Sequence, residues 1–189
     1  MEADLQALED QLDAAERDAR ALIAGLNEEL GARRLSEASW SVAECLEHLA
    51  TTNRVYLNAM EPAAIEARAR GRMRRGPARP GWIGRLFIGS LEPPVKSFTK
   101  SKAPAKIRPA SVALGEAARN FFASQEAVRI FLRANADLDL SGVVFPNPFV
   151  RGIRLSLATG LFAAAAHERR HLWQGWNVRR VLESSHTAK

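Results

Sequence analysis

Leu5, Leu8, Leu12, Ala15, Ala19, Leu22, Leu26 and Leu30 recur at spacings of three and four, the interval at which side chains share one face of an α-helix. The stripe predicts a first helix that ends near Gly31. A second start signal follows at Ser41-Val42-Ala43-Glu44, where the Ser hydroxyl and the Glu carboxylate can each accept an otherwise unpaired amide hydrogen of a helix N-terminus. Trp40 then stands where a hydrophobic staple belongs. Val42, Leu46, Leu49, Tyr56 and Met60 carry the second stripe, interrupted by one polar residue, Asn53. Ser111 can cap a third helix bearing Leu114, Ala117, Phe121, Val128, Phe131 and Leu132, which fades around Asp137 to Gly142. Val143 to Phe149, with Pro146 and Pro148, cannot be helical. A fourth helix begins near Leu155 and turns Leu157, Leu161, Ala164, Leu172, Val178 and Leu182 inward.

Between the second and third helices, from Gly71 to Pro109, six prolines interrupt any regular pattern. The middle of this insertion, Gly81 to Ile88, contains Trp82, Ile83, Leu86 and Phe87 and is too apolar for a free linker. It predicts a short docked helix, and the insertion as a whole an ordered lid or dimer-facing segment beside a functional site. At the other end, Ser184 to Lys189 reads as a flexible polar tail that carries His186.

A chain of 189 residues suits one domain spanning 1–189 with a sizeable core, and its 47% hydrophobic and 25% charged content excludes wholesale disorder. Four amphipathic helices without convincing strand alternation predict an all-α four-helix bundle with a long irregular insertion between helices two and three. The formal charge of +6 is unevenly placed. Arg68 to Arg108 holds twelve Lys or Arg against the single acid Glu92, while the rest of the chain holds 15 bases and 20 acids. The basic character therefore belongs to one segment.

Cys45 is the single cysteine, so no intrachain disulfide can form and nothing in the count calls for an oxidising compartment. The acidic start after Met1 is unlike a secretory leader, and Leu155 to Ala166 is too short to span a bilayer. A cytoplasmic protein without membrane association is the expectation.

The candidate chemistry lies in His167-Glu168-Arg169-Arg170-His171, whose two imidazoles stand one turn apart on one helix face. Neutral imidazole is a common ligand for zinc, nickel and iron. His48, beside the inward stripe of the second helix, supplies a third. The competing reading of His167 and His171 as satisfied core histidines is weaker for two at metal spacing with a third on a facing helix. The string also matches the zinc-protease pattern H-E-x-x-H, but the extended form of that pattern fails because Gly175 is displaced and no third His completes it, Glu183 falls at the end of the helix, and the chain lacks obvious strands to hold an extended peptide. Glu168 is nevertheless the one candidate catalytic base, acting on a metal-activated water. Glu44 reads as a capping residue, Cys45 as a small buried hydrophobe, Trp173 and Trp176 as packing residues. Gln174 is either an outer partner of the histidines or a boundary residue.

Trp40 to Leu49 and His167 to Gln174 together resemble the two signature regions of the DinB-like (DinB/YfiT-like) superfamily. The order of parts agrees: a His early in helix two, a variable middle, Pro148-Phe149, then a His pair and Gln in the last helix. The resemblance implies a four-helix bundle, often a homodimer, with a three-His divalent metal site formed here by His48, His167 and His171. It implies zinc or nickel, with iron or manganese as further candidates, and open coordination positions for water or a small-molecule substrate. Some relatives use low-molecular-weight thiols such as mycothiol or bacillithiol as transferases or isomerases. The insertion lies outside the minimal pattern.

The leading functional reading is thus a divalent-metal-dependent enzyme, either a thiol-dependent transferase or isomerase or a hydrolase. Thiol transfer would need a cationic pocket, for which Lys96, Lys100, Lys102, Lys106 and Arg108 are candidates. The alternative is a non-catalytic protein whose basic insertion contacts a polyanion such as nucleic acid. Trp82, Phe87 and Phe98 are the insertion's interleaved aromatics and no recognised nucleic-acid motif is present, which disfavours that alternative.

Overall fold

The computed structural model describes residues 2–94 and 104–187. Four long helices form the bundle: α1 (Ala3–Ile23), α3 (Val42–Ala69), α5 (Leu114–Ala134) and α6 (Leu157–Thr187). Two short helices, α2 (Glu28–Ala32) and α4 (Trp82–Leu91), and a two-stranded antiparallel hairpin, β1 (Val144–Pro146) with β2 (Arg154–Ser156), lie between them. Helix α3 packs against α5 and α6, and α1 packs against the same two from the opposite side. The expected all-α bundle is therefore present, with α1 diagonal to α3 and α5 diagonal to α6.

Four boundaries differ from the sequence expectation, one of them at the C-terminal end, where α6 continues to Thr187 through most of the segment read as a flexible tail. The first helix stops at Ile23 because Gly25 takes a positive φ of 76°, which glycine adopts at little cost. Asn27 then caps the separate helix α2 by accepting the Leu30 amide hydrogen at 2.8 Å. Ser111 does not cap the third long helix. Its N-cap is Ala113, and the carboxylate of Glu28 reaches across from α2 to accept the amide hydrogens of Leu114 (2.6 Å) and Gly115 (3.0 Å). The last helix begins at Leu157, after β2 has paired Arg154, Leu155 and Ser156 with β1. The Ser41–Glu44 capping box forms as expected, with bonds of 3.1 and 2.9 Å.

The core falls into two clusters. One gathers Leu5, Leu8, Leu12, Tyr56, Met60, Val128, Phe145 and Leu161; the other gathers Ala15, Leu22, Leu46, Leu49, Phe121, Leu172 and Val178. At the level between Leu12 and Ala15 the interior is polar: Asn53, Ser124, Gln125 and Glu168 are all buried. Each long helix contributes to that layer, α1 through the backbone carbonyl of Leu12.

The start of the insertion is fastened to the bundle. Arg68 pairs with Asp137, Arg74 pairs with Asp4, and Met73 bridges Leu138. Helix α4 lies along α6. Gly84 sits so close to it that a Cβ there would come within 2.5 Å of Thr159 Oγ1, Phe87 packs on the core, and Glu92 pairs with Arg169. The docked helix expected from the apolar run is therefore present.

Glu28→Ala is expected to destabilise the protein by about 1 kcal/mol, because it strips the cap from α5 across a tertiary contact. Urea denaturation checks this. Ser111→Ala should leave the midpoint unchanged.

Candidate metal centre

His48 projects from α3, two turns past the Ser41 cap, and His167 and His171 project from one face of α6. The three ring systems meet where the two helices pack, with centroids 5.0 Å (His48–His167), 4.5 Å (His48–His171) and 4.5 Å (His167–His171) apart. One nitrogen from each lies within 4.8 Å of the others. His48 and His171 are buried and His167 is half-buried.

The second nitrogen of two rings is already engaged. Nδ1 of His48 donates to the backbone carbonyl of Ile107 at 2.6 Å, and Nδ1 of His171 donates to Gln174 Oε1 at 3.0 Å. Because those oxygens can only accept, both tautomers are fixed with the proton on Nδ1 and the Nε2 lone pair free. Nε2 of His48 stands 3.2 Å from Nε2 of His167, and His167 Nδ1 is buried without a partner. Two imidazole nitrogens aimed at each other satisfy one another only through a proton or a shared cation.

Burial, first of all, pushes His48 down to about 4, with Arg170 adding in the same direction against the Ile107 carbonyl. Burial also holds His167 and His171 well below the usual imidazole range, and the neighbouring histidines and Arg170 add to it. The three rings are neutral near pH 7, the form in which imidazole donates a lone pair. Nitrogen donors, two fixed tautomers and the Nε2 atoms of His48 and His167 turned toward each other fit a divalent metal of the zinc or nickel type.

Trp40 forms a wall of the site. Its ring lies 4.6 Å from that of His48 and stacks on His171 at 5.5 Å. Sequence reading placed it as a staple and missed this contact. It also missed the Ile107 carbonyl, since a backbone atom from an insertion leaves no trace in residue type. Gln174 is resolved as a partner of His171. Glu44 is engaged by the cap and by Arg34, and although burial pushes its carboxyl up, those bonds hold it below the usual range. Cys45 is wholly buried, and burial raises its thiol far above neutrality.

Glu168, the candidate base, lies elsewhere. Its two oxygens accept from Asn53 Nδ2 and Gln125 Nε2, each at 2.9 Å, in the polar layer of the core. The turn of about 100° per residue separates it from the face that carries His167. Asn53 was visible as a polar break in its stripe; Gln125, between Phe121 and Val128, was a second such break that went unused. Of the proposed cationic pocket, Lys96, Lys100 and Lys102 lie outside the described residues, as does Phe98. Lys106 is turned to the Pro148 carbonyl and the face of Phe149. Arg170, between the two histidines in sequence, is the cation that acts on all three rings.

Residues 11–174 match a family model described as the DinB superfamily. No curated protein and no solved structure gives a significant match.

Burial raises the Glu168 carboxyl to about 7, from 4.5, against the two amide donors. In that window the folded chain keeps on Glu168 a proton that the unfolded chain releases, so the contribution of Glu168 to stability falls as pH rises from about 4.5 to about 7 and is level above, opposite in sign to that of the three buried histidines, which the variant retains. Glu168→Gln cannot titrate. Denaturant unfolding of wild type and variant across this window should show the variant gaining on wild type by up to about 3 kcal/mol. Parallel curves would show that Glu168 does not titrate there.

Proposed function

The chain belongs to the DinB superfamily, and from that premise we propose that it is a divalent-metal-dependent enzyme that transfers a low-molecular-weight thiol to a small electrophilic substrate. The observation that carries the reading is the convergence of three neutral imidazoles, two with their tautomers fixed by Ile107 and Gln174. When bound, a divalent metal lowers the pKa of a thiol or water and supplies a nucleophile at neutral pH.

The choice of a thiol over water rests on what the chain itself offers. A hydrolase is helped by a carboxylate base at the site, and Glu168 is occupied by two amides in the core. A thiol is acidic enough to lose its proton with the metal's help alone, so no protein base is required. Trp40 supplies a flat apolar wall for a substrate body, and Arg170 a positive charge beside the rings for a carboxylate.

The protein purified without chelator is expected to hold about one divalent metal per chain, and His171→Ala to lose it. Gln174→Ala should keep the ligand set but weaken metal affinity by roughly 10- to 100-fold, as loss of an orienting partner does. Elemental analysis and competition with a chromophoric chelator measure both. Full occupancy in His171→Ala would overturn the assignment. Consumption of mycothiol or bacillithiol in a screen of electrophiles, absent in His171→Ala, tests the reaction class.

Chelation is expected to leave the helical circular dichroism intact, since two apolar clusters support the bundle without the site. Loss of most of that signal would mean that the metal is structural.

A further inference from the structure

Helix α4 presents an apolar face that no other described residue covers. Trp82, Ile83 and Leu86 are 66%, 61% and 66% exposed, although each is large. The side turned inward is fully engaged, with Gly84 against Thr159, Phe87 on the core and Glu92 on Arg169. The helix therefore cannot roll to bury the other three without losing those contacts. Positions 82, 83 and 86 share one side, and Arg85 stands at its edge. Arg79, just ahead of the helix, and Arg85 are both exposed and make no ion pair among the described residues. Four arginines near the insertion are paired by contrast: Arg68, Arg72 and Arg74 with aspartates and Arg169 with Glu92.

We propose that this face of α4 docks on an anionic lipid surface, with Trp82, Ile83 and Leu86 entering the headgroup boundary and Arg79 and Arg85 meeting lipid phosphates. A short helix lying in the plane of the interface gains from apolar side chains on one side and basic residues at the rim, and Trp suits that depth. The charge argues against a second copy. A two-fold contact through this face would gather Arg79 and Arg85 of both copies at one interface, and three side chains cover only a fraction of the roughly 800 Å² per partner that a stable dimer buries. Nucleic acid would explain the arginines but not Ile83 and Leu86, which cannot stack on bases. No helix among the described residues is long and apolar enough to cross a membrane, which bears on insertion and leaves surface contact open.

The test is cosedimentation of the full chain with vesicles of phosphatidylcholine alone or mixed with phosphatidylglycerol. The wild type is expected to pellet with the mixed vesicles, not the neutral ones, and less as salt is raised. Trp82→Ser combined with Leu86→Ser should lower partition by roughly tenfold, and Arg85→Glu by at least about fivefold. Both variants alter exposed positions and should keep their circular dichroism and metal content. Equal pelleting of wild type and the Trp82/Leu86 variant would overturn the proposal, as would no pelleting of the wild type. A dimer that this variant converts to monomer in sedimentation velocity would give the face to a second copy instead. Retention of a single-stranded oligonucleotide as strong as that of vesicles, lost in Arg85→Glu alone, would give it to nucleic acid.

Discussion

Glu168 has no exposed surface, and a carboxyl so placed must find hydrogen-bond donors from whatever packs around it. They come from two other helices: Asn53 on α3 and Gln125 on α5, the second of which also holds the Leu12 carbonyl of α1. Apolar faces tolerate sliding by a turn because one Leu packs much like another. A carboxyl with two amide partners does not, since a shift would leave polar groups unpaired at a cost of about 1–3 kcal/mol each. The polar layer separates the two apolar clusters and sets the axial register of all four helices at one level.

The histidine cluster inherits that register. His167 and His171 flank Glu168 on the same helix, and His48 lies little more than one turn before Asn53. Fixing Glu168 against Asn53 therefore fixes how far α6 is advanced along α3, which decides whether the three rings meet. The capping box acts at the other end of the same stretch. It begins α3 at Ser41 and leaves Trp40 just outside the helix, where its ring reaches His48 and His171.

The insertion contributes to the site through the main chain. Its far end brings the Ile107 carbonyl to His48, while its near end is tied to the α5–β1 connection by Arg68, the Arg74 amide and the Met73 bridge, and to α1 by the Arg74 side chain on Asp4. Between them α4 rides on α6, along the same helix that carries the histidine pair. A segment that reads as an addition to the bundle thus supplies a hydrogen bond that fixes the tautomer of one imidazole.

The four apolar stripes, the capping box and the His167–His171 spacing were legible from residue order, because each depends on helical periodicity and on partners within a few residues. The docked helix at Trp82 was legible for a similar reason, since a cluster of large apolar side chains needs burial, although three of them remain exposed. What residue order could not decide were contacts between distant parts of the chain. Glu28 displaced Ser111 as the cap of α5, and Gly25 ended α1 early because its backbone turned to let α2 reach that cap. Glu168 was the candidate base in the local string, and packing turned it into the core, where it meets Asn53 and Gln125 rather than the histidine face. Only the tertiary structure could place it, because the energy of a buried carboxyl depends on groups brought to it from other helices.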